Sequence, residues 1–250
     1  MAERIVFGTD THFGAHNEKA VKVFLEAARA FQPNRIVLGG DILNGGAFSS
    51  HPPTPGEKVM SYDDELDLAS EFVTAVQGIA GRVAYIEGNH EYRIPRWIEA
   101  HNASNMYSVR QFPRYALGNG RKNFCYIDYG SKDGNYPHYR LNKRVVCVHG
   151  WCHARNATRI HLDKAQGMSM LHGHTHRAES IVGQYIWSAG YQQAHSCGCL
   201  CKRIPIYGTG SPVEWVNGFI VGYLGRHSDT FYFVPIRNGE CTLPDGTKIG

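Results

Sequence analysis

RIVFGTDTH, residues Arg4–His12, is an apolar run of strand length that stops on an acid and an imidazole. Four more runs end in the same manner. RIVLGGD ends at Asp41, RVAYIEGNHE at Asn89, His90 and Glu91, RVVCVHG at His149, and SMLHGHTH at His174 and His176. In open α/β sheets, ligands sit in the crevice beyond the carboxyl ends of the strands. Singly, each of these polar residues is an ordinary strand terminus. Five blocks delivered to one edge build a dense set of carboxylate, amide and imidazole donors. Glycines at positions 40, 88, 150 and 173 stand beside them, where tight turns and close backbone approach are needed.

Outside these blocks, the first half alternates strand and helix patterns. Glu18–Phe31 carries Val21, Phe24, Leu25, Ala28 and Phe31 as a helical stripe, closed by Pro33. Ser61 can cap a second helix with an inward face of Tyr62, Leu66, Ala69, Phe72, Val73 and Val76. Pro95 marks a place where a short third helix could begin. FSSHPPTPGE (Phe48–Glu57) reads as a surface loop. The second half reads differently: CYIDYG, RVVCVHG, SMLHG, SIVGQYIWSAG, GFIVGYL and TFYFVPI are strand-like, with few helical patterns between them. Such an order predicts two packed sheets with helices outside, in one domain over residues 1–250.

Composition bounds the function classes. A chain of 250 residues buries a full core without disulfide or metal staples. No apolar run reaches eighteen residues, so no spanning helix and no membrane partner are expected; the amino terminus also lacks the apolar region of a secretory leader. Seven cysteines cannot close a complete internal disulfide framework, which points to a reducing, cytoplasmic setting. The formal charge of +4 is mild but unevenly spread. Tyr92–Lys122 holds six Arg/Lys against Glu99 alone, and Glu57–Phe72 holds six acids against Lys58 alone. The basic stretch interleaves Arg93, Arg96, Arg110 and Arg114 with Tyr92, Trp97, Tyr107, Phe112 and Tyr115. It is either a nucleotide surface or a solvated face with its rings turned inward. The acidic stretch reads as a solvated helix face.

Carboxylates mixed with neutral imidazoles suit Mn²⁺, Fe or Zn²⁺, whereas calcium takes oxygen alone. Seven donors are too many for one tetrahedral ion and suit two ions sharing a carboxylate. Two cations roughly 3.5–4 Å apart acidify a shared water and clamp a transferring phosphoryl group.

In order, Asp10–His12 (D-x-H), Gly40–Asp41 (G-D), Gly88–Glu91 (G-N-H-E), His149–Gly150 (H-G) and Gly173–His176 (G-H-x-H) resemble the calcineurin-like metallophosphoesterases. The resemblance covers residues 10 to 176. It implies an α/β fold, the αββα four-layer sandwich of two mixed β-sheets flanked by helices. It assigns one metal to Asp10, His12 and His176 and a second to Asn89, His149 and His174, with Asp41 bridging. His90 would sit beside the phosphate as general acid or charge stabiliser. Arg93, in a GNHExR pattern, would lie near the phosphate, and Glu91 would support the loop. The implied cofactors are two divalent ions, Mn²⁺ first, with Fe or Zn²⁺ as alternatives. The implied reaction is in-line attack of a metal-bridging hydroxide on a phosphodiester of a nucleotide or nucleic acid, as in nucleases. The alternatives are a phosphomonoesterase using the same site and a scaffold that has lost catalysis.

GDILNGG departs from the G-D-x-V-D-R-G of the superfamily's protein phosphatases: Asn44 replaces the acid that orients the catalytic histidine, and Gly45 the phosphate-gripping arginine. CGCLCK (Cys197–Lys202) followed by VEWVNGF resembles the tail of phage- and prophage-encoded members, which would place the protein in a host cytoplasm. Cys197, Cys199 and Cys201, lacking a CxxC, read as packed thiols along a strand. His172 reads as a structural histidine, and Cys152 and His153 as chance neighbours of His149.

Overall fold

The computed structural model describes residues 2–50, 59–103, 113–114, 116–118, 122–130, 136–184, 190–202 and 214–250. The periodicity of β1 (Glu3–Gly8) sets the layering. Ile5 and Phe7 point to one face and Val6 to the other, and all three are fully buried. A strand covered on both faces reads as a continuous apolar run.

β1 lies parallel to β2 (Arg35–Leu38), followed by β3 (Arg82–Ile86) and β4 (Phe124–Ile127). Two late strands, β10 (Gly218–Leu224) and β11 (Asp229–Pro235), extend this sheet antiparallel beyond β1. The second sheet is also mixed. It runs β5 (His138–Arg140), β6 (Val145–Val148), β7 (Ser169–His172), β9 (Tyr191–Cys197), β8 (Ala178–Gln184). A short pair, β12 (Cys241–Thr242) and β13 (Lys248–Ile249), follows.

Ile5, Phe7, Val37 and Ile86 meet Val145, Cys147, Leu171 and Cys197 between the two sheets. Outside the first sheet pack α1 (Glu18–Phe31) and α2 (Tyr62–Gln77), through Phe24, Ala28, Leu66, Phe72 and Val73. The caps are local: the Asn17 side chain accepts from Ala20 N, and Ser61 Oγ accepts from Asp64 N at 3.1 Å. α3 (Arg93–Ala100) is short. Outside the second sheet, α4 (Ala157–Lys164) sets Leu162 on Val146, Val148 and Met170. The layers are α, β, β, α. Among the described residues, no helix is long and apolar enough to cross a membrane.

Several elements depart from the sequence reading. Helix α4, strands β5 and β9 and the short β12–β13 pair are not expected, because ATRIHLDK, HYR and YQQAHSC carry too few apolar residues for a clear period and the last pair is two residues a strand. Cys199 and Cys201 lie past the end of β9, in isolated bridges rather than along a strand, although both are buried. Within the basic stretch, Tyr92 stacks on Tyr129, Trp97 stacks on His101, and Arg114 pairs with Asp128 at 2.8 Å. Those side chains are engaged within the protein. Tyr107, Arg110, Phe112, Tyr115 and Arg121 lie outside the described residues, as does most of the Phe48–Glu57 loop.

Candidate metal centre

The strand ends bend sharply into the site. Asp10, His12, Asp41, His174 and His176 all have φ between 49° and 69°. That is half of the ten left-handed non-glycine residues among those described. Such backbones cost about 1–3 kcal/mol each and persist only where the surroundings hold them. Here the loops hold each other: Asp10 N donates to Gly40 O at 3.0 Å and His12 N to Asp41 O at 2.9 Å. Gly88 and Gly173 allow the close approach, since a Cβ at either would collide with Asp41 Oδ1 or Asp10 Oδ2.

Glu91 ties two of the loops together. Its buried carboxylate accepts from Asp41 N (3.0 Å), Ile42 N (2.8 Å), Leu43 N (2.9 Å), Gly88 N (2.8 Å) and the Tyr85 hydroxyl (2.8 Å). With five donors it is fully engaged in shaping the loop.

All seven expected ligand residues converge. His149 Nδ1 donates to Gly39 O at 2.9 Å, which turns its Nε2 to the cluster. That Nε2 lies 3.0 Å from Asn89 Oδ1, 3.1 Å from His174 Nδ1 and 3.2 Å from Asp41 Oδ2. Gaps of about 3 Å are what atoms bound to one ion at about 2.0–2.2 Å leave, and with no ion a proton on Nε2 bridges the same atoms. Burial alone would lower the His149 pKa, but the carboxylates of Asp41, Asp10 and Glu91 outweigh it and push it up to about 9, so without an ion Nε2 carries a proton that a bound cation would displace. Burial, then His149 and His153, hold His174 down at about 3, a neutral imidazole.

The second group lies alongside. His176 Nε2 is 3.1 Å from Asp10 Oδ1 and 3.2 Å from His12 Nε2. His12 Nε2 is 3.7 Å from Asp10 Oδ1 and 3.8 Å from Asp41 Oδ2. Asp41 Oδ2 therefore faces both groups. Burial would raise its pKa, yet His149, His90 and His12 hold it well below the usual carboxylate range. The donor set fits two transition-metal ions: Asp10, His12 and His176 for one, Asn89, His149 and His174 for the other, with Asp41 between.

His90 lines the cleft, and its environment is specific. Nδ1 donates to the Asn44 carbonyl at 2.8 Å, while Nε2 accepts from Arg93 at 3.0 Å. Arg93 also donates to Asn44 O at 3.0 Å. The arginine expected near the phosphate thus backs His90 and is not among the residues lining the cleft. Burial holds His90 at about 3, against the pull of Asp41.

Sequence reasoning missed three contributors. His153 is no chance neighbour: its Nε2 lies 3.0 Å from His174 Nε2. A His174 that turns its Nδ1 lone pair to the cluster donates from Nε2, and His153 is the acceptor that fixes this orientation. Cys201 Sγ sits 3.7 Å from His176 Nδ1, the ring nitrogen facing away from Asp10. Glu65, read as part of a solvated helix face, is 1% exposed. Burial pushes its carboxyl up to about 7. His172 bonds Thr158 Oγ1 and the Gly173 carbonyl, a structural setting.

Above the ligands opens a cleft of about 420 Å³ lined by Asp41, Asn89, His90, His153, His174 and Trp215, among others. It continues past Arg177, Glu214 and Trp215 into a second depression of about 550 Å³ that adds Arg155 and Glu179.

A four-layer αββα sandwich with Asp, Asn and His gathered at the strand ends defines a metallophosphoesterase-type fold. The family profile for calcineurin-like phosphoesterases matches residues 3–187, and the chain belongs to that family. Solved structures agree on the fold. Vps29 of Chaetomium thermophilum is similar over 95% of this chain and 93% of that one, at 9% identity and a TM-score of 0.52. Vps29 of Entamoeba histolytica complexed with Zn²⁺ is similar over 96% of each chain, at 12% identity and a TM-score of 0.50. Vacuolar protein sorting 29 of Cryptosporidium parvum gives 12% identity and a TM-score of 0.50, covering 96% of this chain and 95% of that one. A search of curated sequences returns no match.

Proposed function

We propose that this chain is a two-metal phosphodiesterase acting on a nucleotide or nucleic acid. The observation that carries the diester reading is the shape of the cleft. It runs on from the ligands into a second depression, leaving room for an ester arm on each side of a phosphorus. The state of Arg93 supports the same reading. A monoester dianion calls for a guanidinium gripping it from a closed pocket, and Arg93 is instead engaged by Asn44 O and His90 Nε2. Trp215, with Arg155 and Arg177 beside it, supports a nucleotide arm, since bases stack on rings and phosphates meet guanidinium groups.

Two bound cations would supply an acidified water and offset charge on the phosphoryl oxygens. The chain's own groups do the rest. Asp41 Oδ2 faces both ligand groups and fixes their separation. His149 and His174 would turn Nε2 and Nδ1 to the ions, their other nitrogens being bonded to Gly39 O and His153, and an ion there would displace the proton that His149 Nε2 otherwise carries. His90 has committed its Nδ1 proton to Asn44 O and holds Arg93 at Nε2, so the pair offers positive charge to the leaving oxygen rather than a proton. Mn²⁺ is the first choice of ion, and the Zn²⁺ held by the Entamoeba Vps29 makes zinc the alternative.

The test is hydrolysis of an aryl phosphodiester against the matching monoester, with Mn²⁺ added to metal-stripped protein and Asp41→Asn as the blank. A diester preference of about tenfold or more, absent in the blank, is expected. A monoester preference would make the chain a phosphomonoesterase. No turnover of either with ions bound would make it a scaffold on this fold.

A further inference from the structure

His90 lacks the side-chain acid that orients the equivalent histidine in the superfamily's protein phosphatases, because Asn44 stands at that position. Its Nδ1 is bonded instead to the main-chain carbonyl of Asn44, at 2.8 Å. That carbonyl belongs to the same peptide group as Gly45 N–H. This N–H donates to Glu65 Oε2 at 2.8 Å. Among the described residues no peptide bond is cis, so the C=O and N–H of this peptide point in opposite directions, one toward His90 and the other toward Glu65.

We infer that Glu65 is a positioning residue for His90, supplying through the Asn44–Gly45 peptide the anion that Asn44 cannot.

Several observations converge on this. Glu65 lies in the first turn of α2 with Asp63 and Asp64, but those two face solvent while Glu65 is 1% exposed. Burying a carboxylate costs several kcal/mol unless something uses it. Its Oε2 takes the Gly45 amide at 2.8 Å, and the Asn44 and Gly46 amides also favour its charge. The carboxylate therefore faces the Asn44–Gly46 turn and acts on the peptide that carries the Asn44 carbonyl. A negative charge on the N–H side of an amide polarises it and strengthens the carbonyl as an acceptor, because chained hydrogen bonds reinforce one another. The carbonyl so strengthened receives both His90 Nδ1–H and Arg93 NH1, holding the histidine that lines the cleft and the guanidinium behind it. Gly45 itself has φ 59°, and a Cβ there would meet the His90 carbonyl at 2.9 Å. A glycine at this point lets the peptide turn its two ends to Glu65 and His90.

The inference rests on His90 acting in the reaction, and the experiment separates the two ideas. Two variants are compared in the full chain: Glu65→Gln, which keeps an oxygen for Gly45 N–H but removes the charge, and Glu65→Leu, which removes both. The first readout is the His90 Nδ1–H resonance in ¹⁵N-labelled protein, which needs no turnover; it is recorded above pH 8, where a carboxyl that burial pushes up to about 7 is ionised. The second is kcat and KM on the aryl diester, with unfolding midpoint and metal content as controls. Glu65→Gln should fold and load metal as the parent does. Its Nδ1–H signal should move upfield, and kcat should fall about fivefold at similar KM, the difference between a charge-assisted and a neutral hydrogen bond. Glu65→Leu should lose the signal or broaden it and lower kcat further. A His90 signal unchanged in Glu65→Gln would overturn the inference, even if no substrate is ever turned over. A shifted signal with unchanged kcat would uphold the positioning and sink the catalytic role given to His90.

Discussion

The two sheets furnish the candidate metal centre with different chemistry. The first gives the carboxylates Asp10 and Asp41, with His12 and Asn89; the second gives only imidazoles, His149, His174 and His176. Their supports differ in kind as well. Asp41 and its loop are pinned by main-chain amides gathered on Glu91, so the negative charge rests on a rigid frame. The imidazoles are oriented one at a time through their second nitrogens: His149 by the Gly39 carbonyl, His174 by His153, and His176 against Cys201. One sheet sets the charge of the site and the other tunes its donors. Damage to the first should therefore be catastrophic, and damage to the second graded.

The largest effect is expected at Asp41. Asp41→Asn removes the one charge facing both ligand groups, and turnover should fall about a thousandfold with loss of bound metal, read by elemental analysis beside the rate. Retention of both metals and of activity would break the asymmetry at once. Next comes Glu91→Ala, which leaves four buried amides and the Tyr85 hydroxyl without their acceptor. It should destabilise the fold by about 3–5 kcal/mol in denaturant titration, whereas Glu91→Gln should cost less.

The third prediction concerns His195 on β9, in the imidazole-bearing sheet. It is buried, bonded to Ser180 Oγ and Gln193 Oε1, and burial lowers its pKa to about 4. The folded state thus binds this proton less readily than the unfolded chain, whose value is near 6.5. Its contribution is present above pH 6.5 and is lost as pH falls toward 4. His195→Gln should flatten that window of the stability profile by about 2–3 kcal/mol relative to the parent. A parallel profile would show that His195 does not titrate this way. The smallest effect is at His153: His153→Ala should weaken one metal site about tenfold and leave the other alone, with partial recovery in His153→Gln. Equal weakening of both sites would blur the one-by-one orientation proposed for the imidazoles.

What the sequence disclosed follows the same division. The strands carrying ligands were legible because each is buried on both faces and ends on a glycine-flanked polar block. The caps at Asn17 and Ser61 are local, and α1 and α2 are strongly periodic. α4 and β9 were hidden because ATRIHLDK and YQQAHSC are mostly polar, and tertiary contacts rather than pattern decide them. Within the site, the seven donors and Glu91 sit inside short motifs. Glu65 does not, but helical spacing marks it: it stands three residues after Tyr62, four before Ala69 and seven before Phe72, on the inward face, whereas Asp63, Asp64 and Asp67 fall off that stripe. His153 was hidden because its partner His174 is twenty-one residues away. Arg93 was placed by motif near the phosphate, but a motif gives no side-chain direction, and Asn44 O and His90 decide it.

The central claim is that these seven side chains hold two ions through Asp41. Titration of metal-stripped protein with Mn²⁺, followed by electron paramagnetic resonance and elemental analysis, tests it most directly. The account predicts two equivalents bound per chain and a spin-coupled signal that disappears in Asp41→Asn. Saturation at one equivalent, or two ions without coupling, would contradict it.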